Sequence, residues 1–273
     1  MAALPALAGA AAPDRWMPAR FAYREFRHQM TVFRRTWRGG LLSRVVNPVL
    51  YLAAIGTGLG TLVNRHAHLP GGVDYLTFIA PGLLAATAMQ IAMNASMYPV
   101  LGAVKWHKTY YAAAATPVTA AGVYHGFLLF TAFRLVIGCV PFLAAMATFG
   151  AVRSPLAALA LPAAVLTGLA FAAPVAAWAI TRRDDLGFNV LYRLGLVPMF
   201  LFSATFYPLT QLPAWIRPVA YATPLWHGVA ACRALTLGQV TAGSMLIHLG
   251  YLTVLTAAGV AVGQRTHRRR LYR

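Results

Sequence analysis

Acids in pairs, nucleophiles beside bases, metal ligands at fixed spacing and phosphate-cradling loops are the usual carriers of chemistry, and this 273-residue sequence is poor in all of them. Its five acidic residues are Asp14, Glu25, Asp74, Asp184 and Asp185. Only Asp184-Asp185 could supply paired carboxylates for metal-dependent phosphate chemistry. That pair follows Arg182-Arg183, and a solvated turn of mutually neutralising charges explains it more simply. His66 and His68 share a short turn, whereas His107, His125, His227, His248 and His267 are scattered without ligand spacing. Ser203 has no Gly-x-Ser-x-Gly context and no evident base. Lysine occurs only at positions 105 and 108, so no Gly-x-x-x-x-Gly-Lys-Ser/Thr phosphate loop is present. Cys139 and Cys232 lie too far apart along the topology to suggest a bridge.

Two places retain chemical content. Arg134 sits about 16 Å into a long apolar run, taking 1.5 Å per residue. A guanidinium at that depth is costly and faces the bundle interior or water. With no Asp or Glu in any apolar run, its partner is expected among carbonyls, water, lipid phosphate or substrate. Attraction of an anionic or lipid-linked substrate and carbonyl-bonded helix packing are equal readings. The second place is Lys105-Trp106-His107-Lys108-Thr109-Tyr110-Tyr111, a basic and aromatic helix ended by Thr116-Pro117. It suits docking to a soluble partner or an interfacial position at lipid headgroups, and composition does not rank the two.

The elements that position these residues are membrane helices. The chain is 59% hydrophobic and has a mean hydropathy of +0.62, which excludes an ordinary soluble domain. Six apolar runs long enough to span a bilayer are expected: Val45–Val63, Leu76–Tyr98, Val123–Phe149, Leu156–Ile180, Phe188–Tyr207 and Met245–Val262. The net charge of +18 could suggest nucleic acid, but its placement points to a membrane and to no nucleic-acid partner. Seventeen of the 23 Lys and Arg fall on one side of the six runs, and only Arg65, Arg153, Arg217 and Arg233 on the other. The positive-inside rule makes the basic side cytoplasmic, with both termini there and the protein in the cell (inner) membrane.

The expected organisation is therefore all-α and polytopic. Residues 1–18 form a disordered cytoplasmic tail, 19–40 an amphipathic interfacial helix, 43–263 a six-helix transmembrane domain and 264–273 a basic tail. In the amphipathic segment Phe26, Met30, Phe33 and Trp37 share one stripe while the arginines gather on its flank. Tyr207–Gln239 has no spanning run and reads as short outer helices, with Trp215 and Trp226 as interface anchors. Phe200, Ser203, Phe206 and Tyr207, with Met89, Gln90, Met93 and Asn94, offer a lining for a lateral path, although helix packing is the commoner use of such residues. Gly56-x-x-x-Gly60 suits close helix contact. Arg193, in the fifth run, reads as a snorkelling side chain.

Three segments carry a family resemblance. They are Lys105-Trp106 with Thr109-Tyr110 and Ala115-Thr116-Pro117; Pro198–Ser203 running into Phe206-Tyr207-Pro208; and Gln211–Trp215 running into Pro224-Leu225-Trp226-His227 and Arg233. In this order the chain resembles the six-span permease subunits of type-two ATP-binding-cassette exporters, in the branch of nodulation lipo-oligosaccharide and daunorubicin-resistance permeases. Two positions depart from the pattern: an acidic residue is common near Tyr111, and a Gly commonly follows Ser203 where Ala204 stands.

The resemblance implies that Lys105, Trp106, His107, Lys108, Thr109, Tyr110, Thr116 and Pro117 form a coupling helix that docks on an ATPase subunit. It implies that Leu212, Pro213, Trp215, Pro224, Trp226, His227 and Arg233 belong to outer re-entrant helices. The expected function is export of a hydrophobic, amphipathic or lipid-linked substrate. This chain would have no catalytic residues, metal or cofactor of its own, with ATP and Mg held by the partner ATPase. A second permease copy, identical or a paralogue, completes the expected assembly within membrane lipids. The competing class is a membrane-embedded lipid-modifying enzyme, which the scarcity of acids disfavours.

Overall fold

The computed structural model describes residues 17–66 and 72–272, without the side chains of 17, 18, 38–45, 57, 59, 65 and 66. The expected N-terminal tail, with Asp14 and Arg15, lies almost wholly outside the described residues, as do His68, Pro70 and Gly71 of the first turn. All regular structure among the described residues is helical.

Five helical segments are long and apolar enough to cross a membrane: Val46–Asn64, Tyr75–Lys105, Ala120–Thr148, Pro155–Ala179 and Ala242–Leu271. The expected span Phe188–Tyr207 is shorter than predicted and becomes a 17-residue apolar helix, Leu186–Phe202. It stops because Ser203 leaves helical geometry and Ala204 takes a positive φ of 59°. Within it Pro198 offers no N–H, and the preceding turn, Leu191–Leu196, is π-helical, with Val197 N–H bonding the Tyr192 carbonyl.

In chain order the helices are α1 (Met17–Ala53), extended through a π-turn at Ala54–Leu59 into α2 (Gly60–His66); α3 (Tyr75–Ser96); α4 (Tyr98–Lys105); α5 (Thr109–Ala114); α6 (Ala120–Thr148); α7 (Ala160–Ala179); α8 (Leu186–Val190); α9 (Val197–Phe202); α10 (Arg217–Tyr221); α11 (Pro224–Leu237); and α12 (Ala242–Leu271). The amphipathic segment and the first span are thus one continuous helical run, through Gly39-Gly40. Part of the stripe expected to face lipid is instead covered by α6, while Trp37 at its end stays exposed. Phe21 packs at Gly122, Ala22 and Glu25 at Gly126, and Phe26 and Phe33 meet Phe130 and Phe133 edge-on at 5.4–6.3 Å.

Helix α7 occupies the middle of the bundle, touching α3, α6, α11 and α12. Its alanines and Gly168 let neighbours approach closely, and Leu135 of α6 fills the space over Gly168. Of the apolar window of α3, 78% is buried, against 11% for α12, so α3 is core and α12 is peripheral. The anticipated glycine contact works only in part. A Cβ on Gly56 would meet Leu76 of α3, but one on Gly60 would meet only the Ile55 carbonyl of its own helix. The effective pair is Gly259-x-x-x-Gly263 on α12. Gly259 lies against Pro174 and Ala173 of α7, and Gly263 lies under the Tyr124 ring. The two cysteines are free and buried.

Arginines collect where α7 and α12 end and where α1 begins, at Arg182, Arg183, Arg265, Arg268, Arg269, Arg270, Arg20 and Arg24. This is the basic end of the bundle. At the opposite end Arg153 and Asp74 form an exposed ion pair at 3.8 Å.

Candidate functional site

The basic and aromatic loop folds as an elbow at the basic end. Helix α4 ends at Lys105, and both Trp106 and His107 donate their backbone N–H to the Gly102 carbonyl. Lys108 then reverses the chain with φ 53°, a left-handed conformation, before α5 starts at Thr109. The predicted single helix is therefore two short helices around a turn, and α5 ends at Ala114, ahead of Thr116-Pro117. Thr116 Oγ1 donates to the Ala113 carbonyl and closes that end, while Thr119 caps α6 by accepting from Gly122 N–H.

The side chains of the elbow divide into two sets. Lys105, Trp106, His107, Lys108 and Thr109 are exposed, Trp106 at 55%, as are Thr116 and Pro117. Tyr110 points the other way and is 5% exposed, packed with His267 of α12 at a ring separation of 6.1 Å. Burial, with the nearby Glu25 carboxylate, pushes its phenol well above its ordinary range. Tyr110 therefore belongs to the bundle, and Trp106 and Tyr111 are the aromatic groups left exposed, Trp106 the more so.

Tyr110 joins a cluster that the sequence did not reveal. Tyr124 of α6 places its hydroxyl 2.9 Å from the Ala173 carbonyl and 3.1 Å from that of Gly259, one on α7 and one on α12. Its ring lies 4.5 Å from that of His267, whose Nδ1 meets the Gly263 carbonyl at 2.8 Å. Tyr272 then accepts from Ala120 N–H at the start of α6. The elbow is in this way fastened to α6, α7 and α12 at one level. Small-residue spacing at Gly259 and Gly263 was the available sequence signal.

Beside the elbow lies a cavity of about 470 Å³ lined by α1, α4, α5 and α6, with Ala95 of α3. Its polar lining includes Glu25, His28, Gln29, Thr131 and Arg134, and Phe127 and Phe130 supply an apolar wall. Gln29 donates to Glu25 Oε1 at 2.9 Å, and Thr131 Oγ1 is buried without a protein partner. The apolar runs hold no acid, and Glu25, which shares this cavity with Arg134, comes from outside them. Because α1 runs along α6 in the same direction, a carboxylate from outside the spans reaches the same cavity. A second cavity, about 230 Å³, is lined by Asn47, Tyr51, Thr87, Gln90, Phe142 and Phe200.

The anticipated lateral path is not one surface. Met89 and Met93 are buried in the core, Gln90 and Asn94 are exposed, and Phe200 packs edge-on against Phe206 at 5.0 Å. Ser203 is fully buried, its hydroxyl 2.8 Å from that of Thr223. Phe206 and Tyr207 are partly buried, Phe206 against the main core and Tyr207 with Ile216 and Trp226 against Leu209, Leu212 and Ala220.

At the end opposite the elbow, Leu212 is buried, Pro213 and Trp215 are exposed, and Trp215 is 77% accessible. Pro224 opens α11, with Thr223 accepting from Trp226 N–H. Arg233 crosses from α11 to α3, donating to the carbonyls of Phe78 at 3.1 Å and Ala204 at 2.8 Å, with its guanidinium 3.9 Å from the Phe78 ring centre. Burial lowers it to about 10, still cationic at neutral pH. Gly82 admits the Thr205 backbone at this point, where a Cβ would stand 3.0 Å from its carbonyl. Two histidines scattered in sequence also meet here, His227 and His248, with Nδ1 atoms 3.0 Å apart. Tyr251 stacks on His227 at 4.0 Å.

A model of the ABC-2 type transporter family matches residues 24–237. Nodulation protein J of Rhizobium leguminosarum bv. viciae is 28% identical over 250 residues, covering 91% of this chain and 94% of that protein. Nodulation protein J of Rhizobium meliloti (strain 1021) is 27% identical over 226 residues, 82% of each chain. The protein of that name from Bradyrhizobium diazoefficiens is 27% identical over 249 residues, 91% of this chain and 93% of the relative. An all-helical bundle with five apolar spans, matched by this model over most of its length, belongs to the ABC-2 type transporter family of membrane permeases.

Proposed function

We propose that the chain is the transmembrane subunit of an ATP-driven exporter whose ATP is hydrolysed by a separate subunit bound at the basic end. The observation that carries this reading is the exposed elbow, Lys105 to Thr109, fastened through Tyr110 to the helices that cross the membrane. A docking lever must present side chains to its partner and be tied to what it moves, and the two-sided division of this loop satisfies both needs. The basic end would face the cytoplasm, where ATP is found and where arginine-rich ends are retained. A second permease copy would complete the pathway.

The substrate class follows from the cavity beside the elbow. Arg134 and Glu25, with hydroxyls, an amide and two phenylalanines, would hydrogen-bond a sugar-bearing head and pack an apolar tail, such as those of a lipid-linked saccharide or lipo-oligosaccharide. Movement of the elbow would act directly on that cavity, since Thr109, Tyr110, Ala112, Ala113 and Thr116 form one of its walls.

Co-expression of the permease with its ATPase tests the first part. Trp106→Ala with His107→Ala should abolish copurification and permease-dependent ATP turnover while leaving the permease monodisperse. Unchanged binding and turnover would remove the elbow from the interface. For the second part, Arg134→Gln should abolish transport yet retain ATPase assembly, and normal transport in that variant would exclude the cavity as the route.

A further inference from the structure

The termini of α7 and α12 at the basic end border an open cavity of about 580 Å³ lined by Tyr111, Thr181, Thr266, Arg269 and Arg270. Every polar group in this lining is a hydroxyl or a guanidinium, and no carboxylate borders it. Arg270 Nε is buried without a hydrogen-bond partner, and neither Arg269 nor Arg270 has an ion-pair partner among the described residues. Thr181 Oγ1 donates to the Trp178 carbonyl and accepts from Arg182, and Thr266 Oγ1 donates to the Gly263 carbonyl, so both hydroxyl protons are committed and the guanidiniums are the donors left for a ligand. Two guanidiniums in one lining that holds no acid supply the charge-assisted donors that a phosphate group accepts.

The surroundings identify what carries that phosphate. Thr181 lies two residues beyond α7, and Arg269 and Arg270 lie in the last turn of α12, where the apolar face of each helix gives out. On α12 an exposed face runs through Tyr251, Val254, Ala258 and Val262 to Thr266 and Arg269, at steps of three or four residues. Val254 is 69% and Val262 49% exposed, and only 11% of the apolar window of this helix is buried. An acyl chain lying on that face would end with its headgroup at the cavity mouth. We infer that this cavity binds the phosphate of an anionic phospholipid in the leaflet at the basic end, with its acyl chain along α12. The third wall is Tyr111 of α5, so a bound lipid would link the elbow to α7 and α12.

The test uses the full-length permease purified in detergent, titrated with dioleoylphosphatidylglycerol or dioleoylphosphatidylcholine and read by native mass spectrometry. Wild type should bind the anionic lipid about tenfold more tightly, and Arg269→Gln with Arg270→Gln should erase that preference, two charges being removed from the site. Arg269→Lys with Arg270→Lys should keep most of it. Arg20→Gln with Arg24→Gln, at the same end but outside the lining, should keep all of it. Excess inorganic phosphate should not displace the lipid. Equal binding of the two lipids by wild type would overturn the inference, as would displacement by inorganic phosphate, which would make the ligand a soluble phosphate. Equal loss from the 20/24 and 269/270 variants would overturn it by reducing the effect to general charge. Loss of ATPase copurification in the Gln pair with lipid preference intact would assign the cavity to the protein partner instead.

Discussion

Replacing Gly263 by alanine puts a methyl group where the Tyr124 ring already lies. Tyr124 is fully buried and cannot swing into solvent, because its hydroxyl is engaged by Ala173 and Gly259 and its ring by His267. The methyl therefore either pushes α12 away from α6 or expels the ring from its two carbonyls. Overpacking of a tight core costs about 1–3 kcal/mol. Loss of a hydrogen bond between membrane helices adds about 0.6 kcal/mol on average. The expected total is about 2.5 kcal/mol, about 70-fold in the folding equilibrium. Reversible denaturation of the purified permease in mixed micelles measures this directly, and a double-mutant cycle isolates its cause. In a Tyr124→Ala background the added methyl enters vacated space, so Gly263→Ala should then cost under about 1 kcal/mol. The same cost in both backgrounds would show that the glycine serves backbone flexibility and that the contact with Tyr124 is incidental.

Three further outcomes are expected. Ala204→Gly should stabilise the protein by about 1 kcal/mol, because φ 59° burdens any side chain; lower thermal stability would count against strain at that turn. Arg233→Lys should lose about 2 kcal/mol, since one ammonium cannot serve both the Phe78 and Ala204 carbonyls while covering the Phe78 ring; thermal unfolding equal to wild type would refute the bridging role. Burial, reinforced by His248, lowers His227 to about 4 from its ordinary 6.5. Its contribution is therefore complete above pH 6.5 and is lost as pH falls towards 4. Unfolding temperatures between pH 7.5 and 4.5 should fall for wild type and less for His227→Gln, and parallel curves would exclude the histidine as the cause.

The membrane character, the helical class and the positions of most spans were legible because they depend on one-dimensional quantities, the length of an apolar run and the placement of arginines around it. The resemblance in the Lys105–Pro117 loop and around Pro208–Arg233 was readable for a similar reason, since those residues lie close together in the chain. Ala204 shows how far a local departure can be interpreted. Where the resemblance led one to expect glycine, the backbone takes the left-handed conformation that glycine enters without penalty.

Tertiary structure decided the rest, because it sets which faces meet. Periodicity placed Phe26 and Phe33 on one stripe but could not say whether lipid or α6 would cover it, and the pairing with α6 is what brings Glu25 to the cavity of Arg134. Trp106 and Tyr110 looked equivalent as docking aromatics until the left-handed turn at Lys108 sent one outward and the other against His267. Gly56-x-x-x-Gly60 and Gly259-x-x-x-Gly263 have identical spacing, and only the packing of α12 on α6 and α7 made the second a helix contact. The meeting of His227 with His248, and of Tyr111 with Arg269 and Arg270, joins residues far apart in sequence. A chain pattern records the type and period of its side chains, whereas contact between helices depends on their relative rotation and height, which only the assembled bundle determines.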